Sequence, residues 1–160
     1  MSRILDAYFS RIAAQGGVRV RAVALALREG RVLAQQPSDD PSAFYAFPGG
    51  QYEAGDSFES RVRAEIAEET TAAVVSARYG FVVENRFEWR GSAIHLLEHY
   101  VFVTLDRADL VSREAHLRFV WLPLAGVRAV DLRPHVVRDL LGSERLESAR
   151  RLEGPFNSIP

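Results

Sequence analysis

Three glutamates, Glu65, Glu68 and Glu69, stand at positions i, i+3 and i+4. On a helix that spacing gathers their carboxylates on one face. Like charges so placed repel by about 0.2–0.5 kcal/mol per pair, which a solvated helix face tolerates. A charged outer face is therefore one reading of the cluster. A divalent-cation site is the other, because Mg²⁺ takes hard oxygen ligands and keeps several waters, and its charge removes the repulsion. The residues just before weigh between the two. Phe47-Pro48-Gly49-Gly50 and Glu53-Ala54-Gly55-Asp56 lead into the glutamates. Adjacent glycines let backbone approach a ligand or metal with no side chain in the way, although a tight strand-to-helix turn uses the same residue types.

The elements that must position this cluster follow from periodicity and turn residues. Phe58, Val62 and Ile66 recur every four residues and predict a helix over about 57–70, capped by Asp56 or Ser57. Val18 to Leu27 reads as a strand entering the core, Glu29-Gly30 as a tight turn, and Val32 to Gln36 as the hairpin partner. Pro37 to Ser42 is a loop by composition. Val74 to Phe87 and His95 to Leu105 predict two long strands joined at Arg90-Gly91-Ser92, and Phe119 to Leu124 a shorter one. Ile4 to Ala14 suits a short amphipathic helix, and Pro134 suits the start of a last helix running to about Arg145 or beyond. The tail from about residue 152 to 160 reads as irregular. These elements predict one domain over residues 1–160, of the α/β (α+β) class, with a mixed β-sheet sandwiched between helices.

Composition narrows the function classes. A formal net charge of −1 and a pI near 6.4 argue against broad binding to nucleic acid, which needs a concentrated basic face. All 20 basic residues are arginine, a good bidentate partner for phosphate. With no cysteine, thiolate catalysis and cysteine-ligated zinc are excluded. The N-terminus is charged throughout and no segment reaches the roughly 18 apolar residues of a membrane span. A cytoplasmic protein with no nucleic-acid or membrane partner is expected, and a homodimer is compatible with the sequence.

The glycine loop, the helix start and the three glutamates together resemble the Nudix box, G-x5-E-x7-R-E-U-x-E-E-x-G-U with U a bulky apolar residue. The match runs from Gly50 to Ala72, with Pro48-Gly49 before it also typical. Gly50, Glu65, Ile66, Glu68 and Glu69 stand where the pattern wants them. Asp56 replaces the first glutamate, Ala64 the arginine and Thr71 the last glycine, and Ala72 is a small stand-in for the final apolar residue. The resemblance implies a Nudix-like α/β/α sandwich and a Mg²⁺- or Mn²⁺-dependent pyrophosphohydrolase cleaving a diphosphate linkage in a nucleotide or nucleoside-diphosphate derivative. It implies Glu65 and Glu69 as metal ligands, Glu68 as ligand or general base, and Gly49 as a carbonyl ligand. In the family the missing arginine orients a catalytic glutamate. Arg61, four residues before Glu65, shares that face and either replaces it or is an ordinary surface arginine.

Outside the box, the run from Val82 to Tyr100 resembles bacterial members that carry EN, a turn and HE. Here Leu96 takes the place of the last glutamate, and Glu98, on the same side of the strand, is a candidate extra ligand or base. Glu88 and Glu114 are further candidates for a base from a later loop. For the substrate, Arg19, Arg21 and Arg86 are candidates to meet phosphate, and Tyr45, Phe47 and Tyr52 to stack a nucleobase, each against a plain structural role. Trp89 fits either role. His95, His99, His116 and His135 lack zinc spacing and read as structural. The partner expected is a small nucleotide or diphosphate. The alternative is a catalytically weak Nudix-like module that binds or senses a nucleotide.

Overall fold

A computed structural model describes residues 1–145 and the backbone of 155–157. The chain opens with helix α1, Arg3–Gln15, followed by strands β1, Val18–Arg28, and β2, Arg31–Pro37. Glu29 and Gly30 both take positive φ, 48° and 70°, as a two-residue hairpin turn requires. Only Leu27 and Arg28 of β1 pair with β2. Beyond that the sheet forks. β1 runs on between β4, Gly49–Gln51, which is antiparallel to it, and β6, Ser92–Leu105, which is parallel. β6 in turn pairs antiparallel with β5, Val74–Trp89. On the other branch β2 pairs with β7, Leu117–Pro123, and with β3, Tyr45–Ala46, which is parallel to β8, Leu132–Arg133. The expected mixed sheet is thus present, with its long strands reaching two or three residues further than the turn residues suggested.

The parity of β1 explains why that strand reads as continuously apolar. Ala22, Ala24 and Ala26 face one side with Val101 and Val103, and against them packs helix α2, Phe58–Glu69, through Val62 and Ile66. Val23 and Leu25 face the other side with Phe81, Val83 and Tyr100, covered by Val137, Leu140 and Leu141 of helix α3, His135–Leu141. A strand covered on both faces needs no polar alternation, and the small alanines let α2 sit close. The last helix ends at Leu141 rather than near Arg145. Gly142 caps it, its N–H bonding back to Arg138 and Leu140. Most of the tail expected to be irregular lies outside the described residues. Its described part, Pro155–Asn157, forms strand β9, parallel to Val82–Glu84 of β5.

α1 builds a third apolar cluster. Phe9 and Ile12 pack on Ile94 and Leu96 of β6, with Phe44, Phe87 and Trp89 around them. Phe9 makes an edge contact with Phe87 at 5.3 Å and a tilted one with Trp89 at 4.7 Å between ring centroids. Trp89 therefore serves packing, and its indole N–H reaches Asp6 of α1 at 3.3 Å. The helix start is held from outside: Asp39 accepts from the Ser2 hydroxyl and from the Arg3 and Ile4 amides. Replacing Phe9 with alanine removes the centre of this cluster. The expected outcome for Phe9→Ala is a loss of about 3 kcal/mol of stability, read as a lower urea midpoint at unchanged slope.

Candidate functional site

Ser57 caps α2, accepting from the Ser60 amide while the Ser60 hydroxyl accepts from the Ser57 amide. Asp56 is thereby free for other work. Its carboxylate accepts from the Glu53 amide at 3.0 Å and lies 3.3 Å from the Arg61 guanidinium. Arg61 also donates to Glu65 Oε1 at 3.2 Å. Of the two roles left open for Arg61, the geometry is that of a residue tying Glu65 to the helix entrance.

The glycine pair works in two different ways. A Cβ on Gly49 would lie 2.5 Å from the Ala22 carbonyl oxygen and 2.8 Å from Val23 Cα, so β4 approaches β1 only without a side chain there. A Cβ on Gly50 would instead overlap the Glu65 carboxylate. Gly50 therefore leaves the space into which that carboxylate turns. The carboxylates of α2 differ in surroundings. Glu68 is exposed, Glu65 is largely covered, and Glu69 Oε2 is buried with no hydrogen-bond partner among the described residues. Burial pushes the Glu69 carboxyl from its ordinary 4.5 up to about 8, and the neighbouring Glu65 adds to this. Burial also raises Glu65, against the pull of Arg61.

Among the described residues no three Asp, Glu or His side chains form a ready cage for a metal. Mg²⁺ does not require one, since one or two carboxylates and several waters suffice. The donor chemistry fits such an ion: hard oxygens on Glu65 and Glu69, one of them orphaned, with Glu68 exposed beside them. The Gly49 carbonyl accepts from Arg21 at 2.8 Å, which leaves it one lone pair for anything else.

The remaining sequence candidates separate clearly. Arg21 is held between the Gly49 carbonyl and Glu98 Oε1, the latter at 3.1 Å, so it braces the site rather than waiting for phosphate. Glu98 is only 4% exposed and both its oxygens accept, from Arg21 and from Asn85 at 3.1 Å. Burial raises its carboxyl, opposed by Arg21. It is engaged as a partner, not poised as a free base. Glu114 is the later carboxylate whose charge reaches Glu69. Arg86 is exposed at the cleft rim and pairs with Glu84 at 2.6 Å, and Arg19 donates to Gln15 and Gln51. The aromatic candidates fail on parity. Phe47 is 3% exposed and packs edge-on against Tyr100, Tyr45 joins the same core, and Tyr52 stacks on Phe58. The alternate residues, Phe44 and Ala46, line the cleft instead. His95, His116 and His135 each pair with a carboxylate and His99 stacks on Phe58, as structural histidines do.

That cleft, of about 840 Å³, begins at Gly49, Glu69 and Arg21 and extends between the two branches of the sheet to α1. The model of the NUDIX domain matches residues 17–140. The chain belongs to the Nudix family. Its members are generally metal-dependent pyrophosphohydrolases, and the chain is a Nudix hydrolase by that membership. Similar solved structures share the Nudix fold at low identity. The mMutator MutT protein from Bacillus halodurans superposes with a TM-score of 0.68 at 17% identity, over 89% of this chain and 91% of that one. A MutT NUDIX hydrolase from Burkholderia pseudomallei gives 0.62 at 24% identity, over 81% and 99%. The E. coli ORF135 protein gives 0.53 at 23%, over 88% and 98%. None of the curated proteins matches the chain.

The departures from the Nudix box have local explanations. Arg61 takes up Glu65, for which position 64 offers only alanine. Thr71 needs no glycine backbone, since its φ is not positive, and its hydroxyl accepts from the Val111 amide at 2.9 Å. The Thr71 amide donates to the Val111 carbonyl at 3.0 Å, which latches the loop after β6 to the end of α2.

The raised Glu69 carboxyl has a sign that can be checked. In the unfolded chain Glu69 ionises near 4.5 but in the fold near 8, so between those values the native state holds the extra proton. Stability then falls as pH rises through this window and levels off above it. The expected outcome without metal is a melting temperature that declines from about pH 4.5 to about pH 8. Glu69→Gln should flatten that decline, and thermal melts across the range measure it.

Proposed function

We propose that this Nudix hydrolase cleaves a diphosphate linkage in a nucleotide or nucleoside-diphosphate derivative, using Mg²⁺ or Mn²⁺. The observation that carries the reading is the orphaned, buried oxygen of Glu69 beside Glu65, at the mouth of a cleft large enough for a nucleotide. A carboxylate left unpaired in such a place is costly unless a cation completes it. Glu65 and Glu69 would hold the metal, with the free lone pair of the Gly49 carbonyl within the same site. When bound, the metal supplies positive charge to the diphosphate oxygens and to the departing phosphate.

The chain's own residues divide the remaining work. Arg61 fixes the Glu65 carboxylate, and Gly50 gives it room. Arg21 and Glu98 hold the Gly49 carbonyl in place. Glu68, exposed on the same helix face, accepts the proton of a water molecule as its oxygen attacks phosphorus. A new P–O bond forms, the bridging P–O bond breaks, and the leaving phosphate takes the electron pair.

Metal-dependent phosphate release from a panel of nucleotides tests the reading. Release that is absent with every nucleotide, while nucleotides still bind, would leave the chain as a binding module. Loss of a positioned base lowers turnover by about 10²–10⁴-fold, and extra metal does not repair it. Glu68→Gln is therefore expected to reduce turnover more than Glu98→Gln across a magnesium titration at saturating substrate. The reverse order at every magnesium level places the base outside α2. Glu69→Gln should instead weaken Mg²⁺ binding by calorimetry, and equal affinity in both proteins would remove Glu69 from the ligands. Arg61→Ala should lower turnover at unchanged melting temperature, and Ala64→Arg added to it should restore part of the rate.

A further inference from the structure

The NUDIX match begins at residue 17, so α1 lies outside it. Yet α1 has two working faces. Phe9 and Ile12 are buried on β6, and Ile4, Tyr8 and Arg11, at helical spacing i, i+4 and i+7, line the cleft, where Phe9 also reaches the wall. Across the forked sheet, Gln35 of β2 lines the same cleft. Its carboxamide oxygen is buried and has no hydrogen-bond partner among the described residues. A buried amide oxygen without a partner costs free energy unless a ligand supplies the match. Its neighbour Gln36 shows the contrast: that amide is fully engaged, with the Pro41 and Ala43 carbonyls and with Arg118.

We propose that Gln35 reads the hydrogen-bonding edge of the substrate's nucleobase, in a pocket that α1 closes with Tyr8. This deepens the reading of a nucleotide substrate and rests on it. A carboxamide presents one acceptor and two donors side by side. It therefore pairs with a ring whose edge carries a donor next to an acceptor, such as the amino and ring nitrogen of adenine. Rings that cannot present such an edge in register with the amide leave it unmatched, which a polar site penalises far more than a missing methylene. Tyr8, half-buried on the cleft wall with Phe9 edge-on at 5.1 Å and the Arg11 guanidinium 5.8 Å from its ring centre, offers its remaining ring surface for stacking, which tolerates any base. Recognition thus divides into a base-tolerant wall on α1 and a base-selective amide on β2. The Phe44 ring beneath the Arg133 guanidinium, 4.3 Å from it, completes the aromatic lining.

The test is calorimetric binding of four methylene-bridged nucleoside diphosphates that differ only in the base, together with methylenediphosphonate, which has none. Wild type should prefer one base over the weakest by about tenfold or more. Gln35→Leu should erase that preference while leaving methylenediphosphonate binding unchanged. Gln35→Glu, which keeps the shape but only accepts, should move the preference toward rings presenting donors. Tyr8→Leu should weaken all four by a similar factor. Melting temperatures of each variant show that it folds. Equal binding of all bases by wild type, or an equal loss for all bases and methylenediphosphonate in both Gln35 variants, overturns the proposal. A base preference erased by Gln35→Leu in a protein that hydrolyses none of the natural diphosphates upholds Gln35 as the reader and removes the hydrolytic reading instead.

Discussion

Arg21 carries a charge that cannot be given up at any ordinary pH, and it carries it largely covered, at the wall of the cleft on β1. A buried guanidinium must be surrounded by acceptors. Here they come from two neighbouring strands, the Gly49 carbonyl of β4 and the Glu98 carboxylate of β6. Asn85 of β5 then holds the second oxygen of Glu98. One cation thus ties together β1, β4 and β6, and through Glu98 and Asn85 also β5. The glycine loop can lie against β1 because Gly49 has no side chain, and it stays there because Arg21 holds its carbonyl.

Around that fixed point, negative charge is distributed unequally. Glu65 is compensated by Arg61 and has its space from Gly50, while Glu69 is pressed into the interior with one oxygen unpaired. Glu68 stays in water. Three identical side chains on one helix face therefore have three different accesses to solvent, and burial raises the carboxyls of Glu65 and Glu69. The differentiation comes from what α2 packs against, since the helix itself offers the three positions on equal terms.

The sequence displayed α2 well because its signals are local. Spacing set the face of Glu65, Glu68 and Glu69, Ser57 and Asp56 marked the start, and Val62 and Ile66 the buried stripe. The mixed sheet was legible for the same reason, in apolar runs and turn residues. What could not be read was contact at long range. Glu98 looked like a spare carboxylate until its partners, Arg21 at 77 residues' separation and Asn85 across a hairpin, came beside it. The choice between Tyr45 and Phe47 on one side, and Phe44 and Ala46 on the other, is a matter of strand parity in a two-residue strand, too short for alternation to show. α1 read correctly as an amphipathic helix. Its second role, as a wall of the cleft, depends on where β5, β6 and Asp39 dock it.

That docking has a consequence for how such a protein can change over generations. α1 shares no strand ladder with the sheet and is joined to it by one aromatic cluster, by Asp39 at its start and by side-chain contacts of Asp6 with Trp89 and Arg90 and of Gln15 with Arg19. A helix held in this way can be shifted or exchanged for another without re-pairing a single strand or moving α2. The helix that carries the three glutamates and one wall of the cleft are therefore separately heritable. A lineage built on this plan can reshape the cleft through α1 while α2 stands still.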